Sequence, residues 1–314
     1  MSDMETVAVV MERPEQLSLR RLSLNQMAAG DVLVDVEWSG ISTGTERLLW
    51  TGRMPPFPGM GYPLVPGYES VGKVVEAGTE ATHRIGEQVF VPGASCFKDA
   101  RGLFGGAARH LIVPSTRAIS IRQDVREQGV LIALAATAQH VLSTGAFPEL
   151  IVGHGVLGRL LARLTVGAGH PAPVVWETNA ERHEGAAHYS VVQPSADTRR
   201  DYRVIVDVSG DSTVLDTLIG RLARSGEIVL AGFYEKPLSF EFAPSFLREA
   251  RVRVAAEFKP EDMVAVVGLI NDGGLSLDGL ITHRMDASDA DKAYRTAFGD
   301  ASCLKMILDW RGCA

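Results

Sequence analysis

The 314 residues suffice for about two domains, and 46% hydrophobic with 22% charged residues is an ordinary globular balance. A net charge of −7 speaks against a nucleic-acid or anionic-membrane surface, which needs clustered Lys and Arg, and no apolar run nears the ~20 residues that span a bilayer. The three cysteines, Cys96, Cys303 and Cys313, form no C-x-x-C pair and suit a reducing cytoplasm; Asp3 and Glu5 near the start do not read as a secretory signal.

Residues 4–122 read as β-rich. Val7–Met11, Leu17–Arg21, Asp31–Trp38, Ser70–Ala77, Gln88–Val91 and Ala108–Val113 are alternating or β-branched, with Gly and Pro between them. The densest punctuation, residues 52–67, excludes both helix and long strand. Within it Met54, Phe57, Met60 and Tyr62 form an apolar, proline-stiffened loop, either self-packed or a stacking surface for a flat ligand.

The pattern then changes. A helical stretch over 127–144 precedes the apolar strand Leu150–Val152. Gly153, His154, Gly155, Val156, Leu157 and Gly158 follow at once, and a helix is expected from Arg159 to Val166. Gly153 permits the tight turn, Gly155 exposes bare backbone to a pyrophosphate, and Gly158 lets helix and strand pack closely. Strand 174–176 ends on Glu177, whose carboxylate can accept both ribose hydroxyls of an adenosine and repels a 2′-phosphate. The pattern therefore expects NAD. A helix near 180–187, a strand at 190–192, strand 203–208, helix Ser212–Ala223 and strand 227–231 continue an alternation that implies a doubly wound parallel sheet. Ser209 and Gly210 follow one of these strand ends, and Phe233 and Tyr234 another, where such folds bind ligands. After residue 256 the rhythm lapses: helix Pro260–Asn271, strand Leu280–Arg284, helix Ala287–Phe298 and strand Cys303–Asp309. This expects one domain of residues 1–122 and 256–314, interrupted by a Rossmann domain over 123–255.

Several motifs carry a family resemblance. They are S-G-I-S-T-G-T-E at 39–46, P-G-Y-E-S-V-G at 66–72, G-G-A-A-R-H at 105–110, E-T-N-A-E-R at 177–182 and L-I-T-H-R at 280–284. Over essentially its whole length the chain resembles the medium-chain, or alcohol dehydrogenase, superfamily. The resemblance implies a GroES-like β-rich catalytic domain with an inserted Rossmann sheet, Arg182 at the adenosine ribose, and Lys305 near the cofactor edge. It also implies where a catalytic zinc would sit, and there the chain departs. Ser42 or Thr43 stands for the first cysteine, Tyr68 for the histidine and Ala133 for the third ligand. Hydroxyls and a methyl are not zinc donors, so no protein-bound metal is expected.

Carried onto this chain, the family geometry aims Tyr68 at the reacting carbon. There it either donates to a carbonyl, relays a proton if its pKa is depressed, or fills the vacated volume. Glu69 matches an acid behind the metal, a candidate base, an orienter of Tyr68 or a plain hydrogen-bond acceptor. Ser42 and Thr43 are candidates to bond a substrate hydroxyl. His140 is a candidate relay or a packed helix residue, and His154 is expected near phosphate. The run from Ser39 to Gly72 is similar to superfamily members that oxidise the 3-(1-hydroxyethyl) group of a chlorophyllide-type tetrapyrrole to 3-acetyl with NAD. Alternatives left open are a zinc-independent quinone or enoyl reductase and a non-catalytic NAD-binding sensor or scaffold. A cytoplasmic place, extending to the periphery of the photosynthetic membrane, and a homodimer are compatible with the sequence and not specified by it.

Overall fold

The computed structural model describes residues 4–56, 58–143, 145 and 147–313. The expectations for Phe57 and for the helix end at Thr144 fall outside these residues. The chain forms two compact units, residues 1–133 with 280–314, and residues 134–279. The unit boundaries differ from the expected 122 and 256: residues 123–133 stay with the first unit and residues 256–279 with the second, where His140 Nδ1 lies 2.8 Å from Asp262 Oδ2.

Unit 1 contains β1 (Glu5–Arg13), β2 (Gln16–Ser23), β3 (Asp31–Ile41), α1 (Thr45–Thr51), β4 (Leu64–Val65), β5 (Ser70–Ala77), β6 (Gln88–Val91), β7 (Arg101–Gly102), β8 (His110–Pro114) and β9 (Ile119–Ser120). Val32, Val34 and Val36 of β3 are buried at alternate positions, as one face of a strand requires. β3 pairs antiparallel with β5 and β8.

Unit 2 begins within α2 (Ile132–Ser143). It continues through β10 (Leu150–Val152), α3 (Val156–Gly167), β11 (Val174–Trp176), β12 (Ser190–Val192), β13 (Tyr202–Asp207), α4 (Leu215–Arg221), β14 (Leu222–Leu230), α5 (Phe242–Arg248), β15 (Arg251–Val254) and α6 (Pro260–Asn271). Its six strands are all parallel, in the order β12-β11-β10-β13-β14-β15. The order reverses at β10, the switch point where doubly wound sheets bind nucleotides.

The chain then re-enters unit 1 with β16 (His283–Asp286), α7 (Ala290–Gly299) and β17 (Met306–Asp309). β17 lies antiparallel on β3, with Met306 opposite Ile41, so the C-terminal segment completes the first sheet.

Several local expectations are corrected. The helix over 127–144 starts only at Ile132: the residues up to Leu131 form 3-10 turns instead, kinked at Arg126, which takes φ +47°. The helix near 180–187 shrinks to one 3-10 turn, Ala180–Arg182. Side chains capture the Arg182 carbonyl, and Gly185 and His188 take φ +79° and +67°. The helix over 212–223 stops at Arg221, and Leu222 already pairs with Tyr202. Unexpected were α1, α5 and β15. α5 shows no inward apolar stripe to announce it, since Phe242, Phe246 and Leu247 are 73%, 67% and 74% exposed.

Candidate active site

In unit 1 the chain leaves β3 at Ile41 and turns through Ser42–Gly44 into α1. Glu46 lies in the first turn of α1 and folds back so that Oε1 accepts the Ser42 amide at 2.9 Å. Oε2 accepts the Tyr294 hydroxyl of α7 at 2.6 Å. Glu46 is fully buried, and burial pushes its carboxyl up to about 7; repulsion from Glu69 acts in the same sense, and the bonds from Tyr294 and Ser42 oppose it.

Tyr68 donates to Ser42 Oγ at 2.7 Å. Its ring meets Phe104 edge-on, centroids 5.2 Å apart. Burial, then the Glu69 charge, holds the phenol well above its ordinary range. This corrects the idea of a relay through a depressed pKa: Tyr68 stays neutral and works as a hydrogen-bonding group. Thr43 is half-buried one residue beyond Ser42.

Glu69 does not orient Tyr68. Both its oxygens accept Lys305 Nζ, at 2.9 and 2.7 Å, and Nζ also donates to the Ile41 carbonyl at 3.2 Å. Burial pushes the Glu69 carboxyl up and the adjacent ammonium opposes that shift. Gly40 makes the arrangement fit, since a Cβ there would lie 2.1 Å from Glu69 Oε2. Lys305, expected at the cofactor edge, is instead 1% exposed and engaged inside unit 1. Unit 1 therefore buries two carboxyls, Glu46 and Glu69, with one ammonium.

Ser42, Tyr68 and Ala133, at the superfamily's zinc positions, offer two hydroxyls and a methyl. Among the described residues no three His, Cys, Asp or Glu side chains converge to hold a metal. These side chains do not fit zinc, which takes thiolate, imidazole or carboxylate donors.

Met54, Met60 and Tyr62 are partly buried against the unit 1 core, and the Tyr62 hydroxyl donates to the Leu49 carbonyl of α1. They anchor the loop as well as presenting a remaining apolar surface.

In unit 2, Val152 stands opposite both Trp176 and Asp207, so β11, β10 and β13 end level. Gly153 takes φ +105°, a backbone state that only glycine adopts freely. A Cβ on Gly158 would lie 1.9 Å from the Gly153 carbonyl, whereas one on Gly155 would meet nothing within 4 Å. α3 begins at Val156, three residues earlier than expected, so the amides of Val156, Leu157 and Gly158 form its first turn and face an open approach for phosphate.

Glu177 is 8% exposed. Its oxygens accept the amides of His154 at 3.0 Å and Asn179 at 2.8 Å, which fixes the carboxylate at the strand end. His154 is fully buried, and its ring turns into the protein instead of offering charge to a phosphate. Nδ1 lies 2.5 Å from the Arg182 carbonyl and Nε2 2.8 Å from the Tyr189 hydroxyl. Burial pushes the imidazole down to about 4, so it is neutral; a carbonyl only accepts, so Nδ1 carries the proton and Nε2 accepts from Tyr189. Arg159 joins the same loops, donating to the carbonyls of His154 and Arg182 at 3.1 Å each. Arg182 thus serves here through its carbonyl.

Past β13, the Ser209 amide donates to Asp207 Oδ1 at 2.9 Å, and Tyr234 Oη donates to Oδ2 at 2.7 Å. Asp207 is fully buried, and burial raises its carboxyl. This pair ties the turn at Ser209 and Gly210 to the segment carrying Phe233, which is 43% exposed. His140 Nδ1 lies 2.8 Å from Asp262 Oδ2, an oxygen that also accepts the Lys259 amide at the start of α6.

Sequence reading missed Glu46, Arg159 and Asp207 as site residues. Asp207 carried a usable signal, an acid closing the apolar run V-I-V, the pattern that singled out Glu177. Glu46 offered no such signal: it stands four residues after Ser42, one more than a capping box allows, and the α1 N-cap is Gly44.

A parallel switch-point sheet with its glycine turn, together with a GroES-like β unit, defines a medium-chain dehydrogenase. The alcohol dehydrogenase GroES-like domain matches residues 28–123. Solved structures agree in fold. An alcohol dehydrogenase (rspB) of Escherichia coli complexed with NADH superposes with TM-score 0.84 at 22% identity, covering 97% of this chain and 99% of that one. A putative zinc-binding dehydrogenase of Sinorhizobium meliloti bound to NADP gives 0.82 at 21%, covering 98% and 99%. The 2-desacetyl-2-hydroxyethyl bacteriochlorophyllide A dehydrogenase of Cereibacter sphaeroides is 57% identical over 99% of this chain and 100% of its own length. That of Rhodobacter capsulatus is 54% identical over 98% and 99%. The chain belongs to this family of bacteriochlorophyllide dehydrogenases.

Proposed function

We propose that the chain oxidises the 3-(1-hydroxyethyl) group of a (bacterio)chlorophyllide to 3-acetyl in bacteriochlorophyll biosynthesis, using NAD and no protein-bound metal. Full-length identity of 57% to a relative named for that substrate carries the reading. Gly153, Gly155, Gly158 and the first turn of α3 would hold the pyrophosphate, with Glu177 on the adenosine ribose. Bound NAD supplies the hydride acceptor. The chain's own part in unit 1 falls to Tyr68 and Ser42. With the Tyr68 proton directed to Ser42 Oγ, the phenol oxygen can accept a hydrogen bond from the substrate hydroxyl, whose proton would pass to solvent water as the hydride is lost to bound NAD; the neutral phenol would then turn to donate a hydrogen bond to the new carbonyl. Charge developing at the reacting carbon is shared by the adjoining conjugated ring. A saturated secondary alcohol of similar bulk is therefore a poor substrate, and equal turnover of the two rejects that role for the ring.

The decisive assay uses chelator-treated, metal-free protein with NAD and a 3-hydroxyethyl chlorophyllide, and follows the absorbance shift to the acetyl product. Activity that disappears with the metal and returns with zinc overturns the metal-independent reading. In the same assay NADP is expected to be about a hundredfold poorer in kcat/KM, because its 2′-phosphate meets the fixed Glu177 carboxylate. Glu177→Gln narrows that gap to within about tenfold; an unchanged ratio assigns the preference elsewhere.

The protein acts as a cytoplasmic enzyme that takes its pigment at the periphery of the photosynthetic membrane. No helix among the described residues is long and apolar enough to cross a membrane. A homodimer forms through β15, the outer strand of the unit 2 sheet, where Val254 is 73% exposed. Light scattering that returns the mass of one chain rejects it.

A further inference from the structure

Strands β4 and β7 run parallel, with Leu64 opposite Arg101 and Val65 opposite Gly102. Three residues beyond Val65 comes Tyr68, and three beyond Arg101 comes Phe104, the two rings that meet at 5.2 Å. At about 3.3 Å per extended residue, the backbone of Arg101 lies within about 10 Å of Phe104. Arg101 thus stands on this short ladder, and the paired rings of Tyr68 and Phe104 follow within three residues of its end.

That guanidinium sits in a prepared place. Nη1 donates to the Met60 carbonyl at 3.2 Å. The neighbouring residue is Gly61, where a Cβ would fall 1.3 Å from Nη1, so any side chain at 61 would displace the arginine. Arg101 is exposed, and no described carboxylate lies within ion-pair distance of it. A cation with no described carboxylate partner thus borders Met60 and Gly61, in the loop that also carries the partly exposed Met54 and Tyr62. Its ligand is expected to pair an apolar body with an anionic group. A chlorophyllide has that composition, a flat hydrophobic macrocycle with one free propionate, which the chlorophylls carry esterified.

We propose that Arg101 binds the propionate carboxylate of the pigment, so that the enzyme selects the free acid over its esters. The inference rests on the functional reading above. A planar guanidinium pinned by one N–H keeps others for a carboxylate and loses little freedom on binding.

The test compares a 3-hydroxyethyl chlorophyllide with its propionate methyl ester, in turnover and in direct titration of pigment absorbance. Wild-type protein is expected to show about tenfold lower KM and tighter binding for the acid. Arg101→Ala raises both values for the acid about tenfold, leaves the ester and the KM for NAD unchanged, and so removes the discrimination. Arg101→Lys keeps part of it. Equal binding of acid and ester by wild type, or a loss in R101A that is the same for both, overturns the assignment. If wild type turns over neither pigment, the proposed reaction fails; a preference for the acid in titration, lost in R101A, then still supports the carboxylate site.

Discussion

Replacing Tyr68 by phenylalanine lowers kcat by about a hundred- to a thousandfold and leaves the KM for NAD unchanged. The substitution keeps the ring that packs on Phe104 and removes only the hydroxyl bonded to Ser42 Oγ. The fold therefore has no reason to fail, and the change reads the hydroxyl alone. Because burial holds the phenol well above its ordinary range, the wild-type rate should show no titration of Tyr68 below pH ~10. Ser42→Ala leaves the Tyr68 proton without its acceptor and should lower kcat by about tenfold. A Y68F enzyme within threefold of wild type would mean that the tyrosine only fills space where other superfamily members hold zinc.

The second large effect is on stability. Glu46 is buried with its carboxyl pushed up to about 7, from an ordinary value of 4.5. Between those two pH values the unfolded chain has released the proton and the folded chain retains it, so stability falls as pH rises. The fall is about 3 kcal/mol in all and is complete once the folded group ionises near 7. Glu46→Gln keeps an amide oxygen for the Ser42 amide or the Tyr294 hydroxyl and cannot ionise. Relative to wild type, E46Q should therefore gain about 3 kcal/mol between pH 4.5 and 8, read as the difference between urea unfolding curves at the two pH values. Charged and titratable groups facing Glu46 are Glu69, Lys305, Tyr68 and Tyr294. They are common to both proteins, so their own titration largely cancels in the difference. A stability difference that does not move with pH would falsify the buried, proton-holding state of Glu46. A parallel pH-rate profile separates this from catalysis: if Glu46 acts by holding Ser42 in place, the wild-type inflection near 7 vanishes in E46Q while the KM for NAD stays put.

Much of the nucleotide unit could be read directly along the chain. The run L-I-V-G-H-G-V-L-G and the acid at 177 are local signals: glycine spacing dictates a turn, and an acid at a strand end lies at the sheet's carboxyl edge whatever surrounds it. The absence of zinc donors at 42, 68 and 133 was equally legible, because side-chain chemistry excludes a ligand without any coordinates. Short elements were not. α1 and α5 span seven residues each, too few for a hydrophobic period to emerge, and β15 belongs to the sheet only through its pairing with β14. His154 shows the limit of motif position. Its place between two glycines suggested phosphate, yet a carbonyl at 182 and a hydroxyl at 189 hold its ring elsewhere.

Residue identity alone determined the strand, glycine turn and terminal acid of a dinucleotide-binding pattern, and the hydroxyls and methyl that stand at 42, 68 and 133. Both follow from chemistry that acts over a few positions. Only tertiary structure decided that Glu46 meets Tyr294 across 248 residues, that Glu69 is paired with Lys305 across 236, and that Tyr68 bonds Ser42 instead of Glu69. Those contacts depend on which strands pair and how deeply each group is removed from water. Burial then sets the protonation state of each group, and so what each side chain can do.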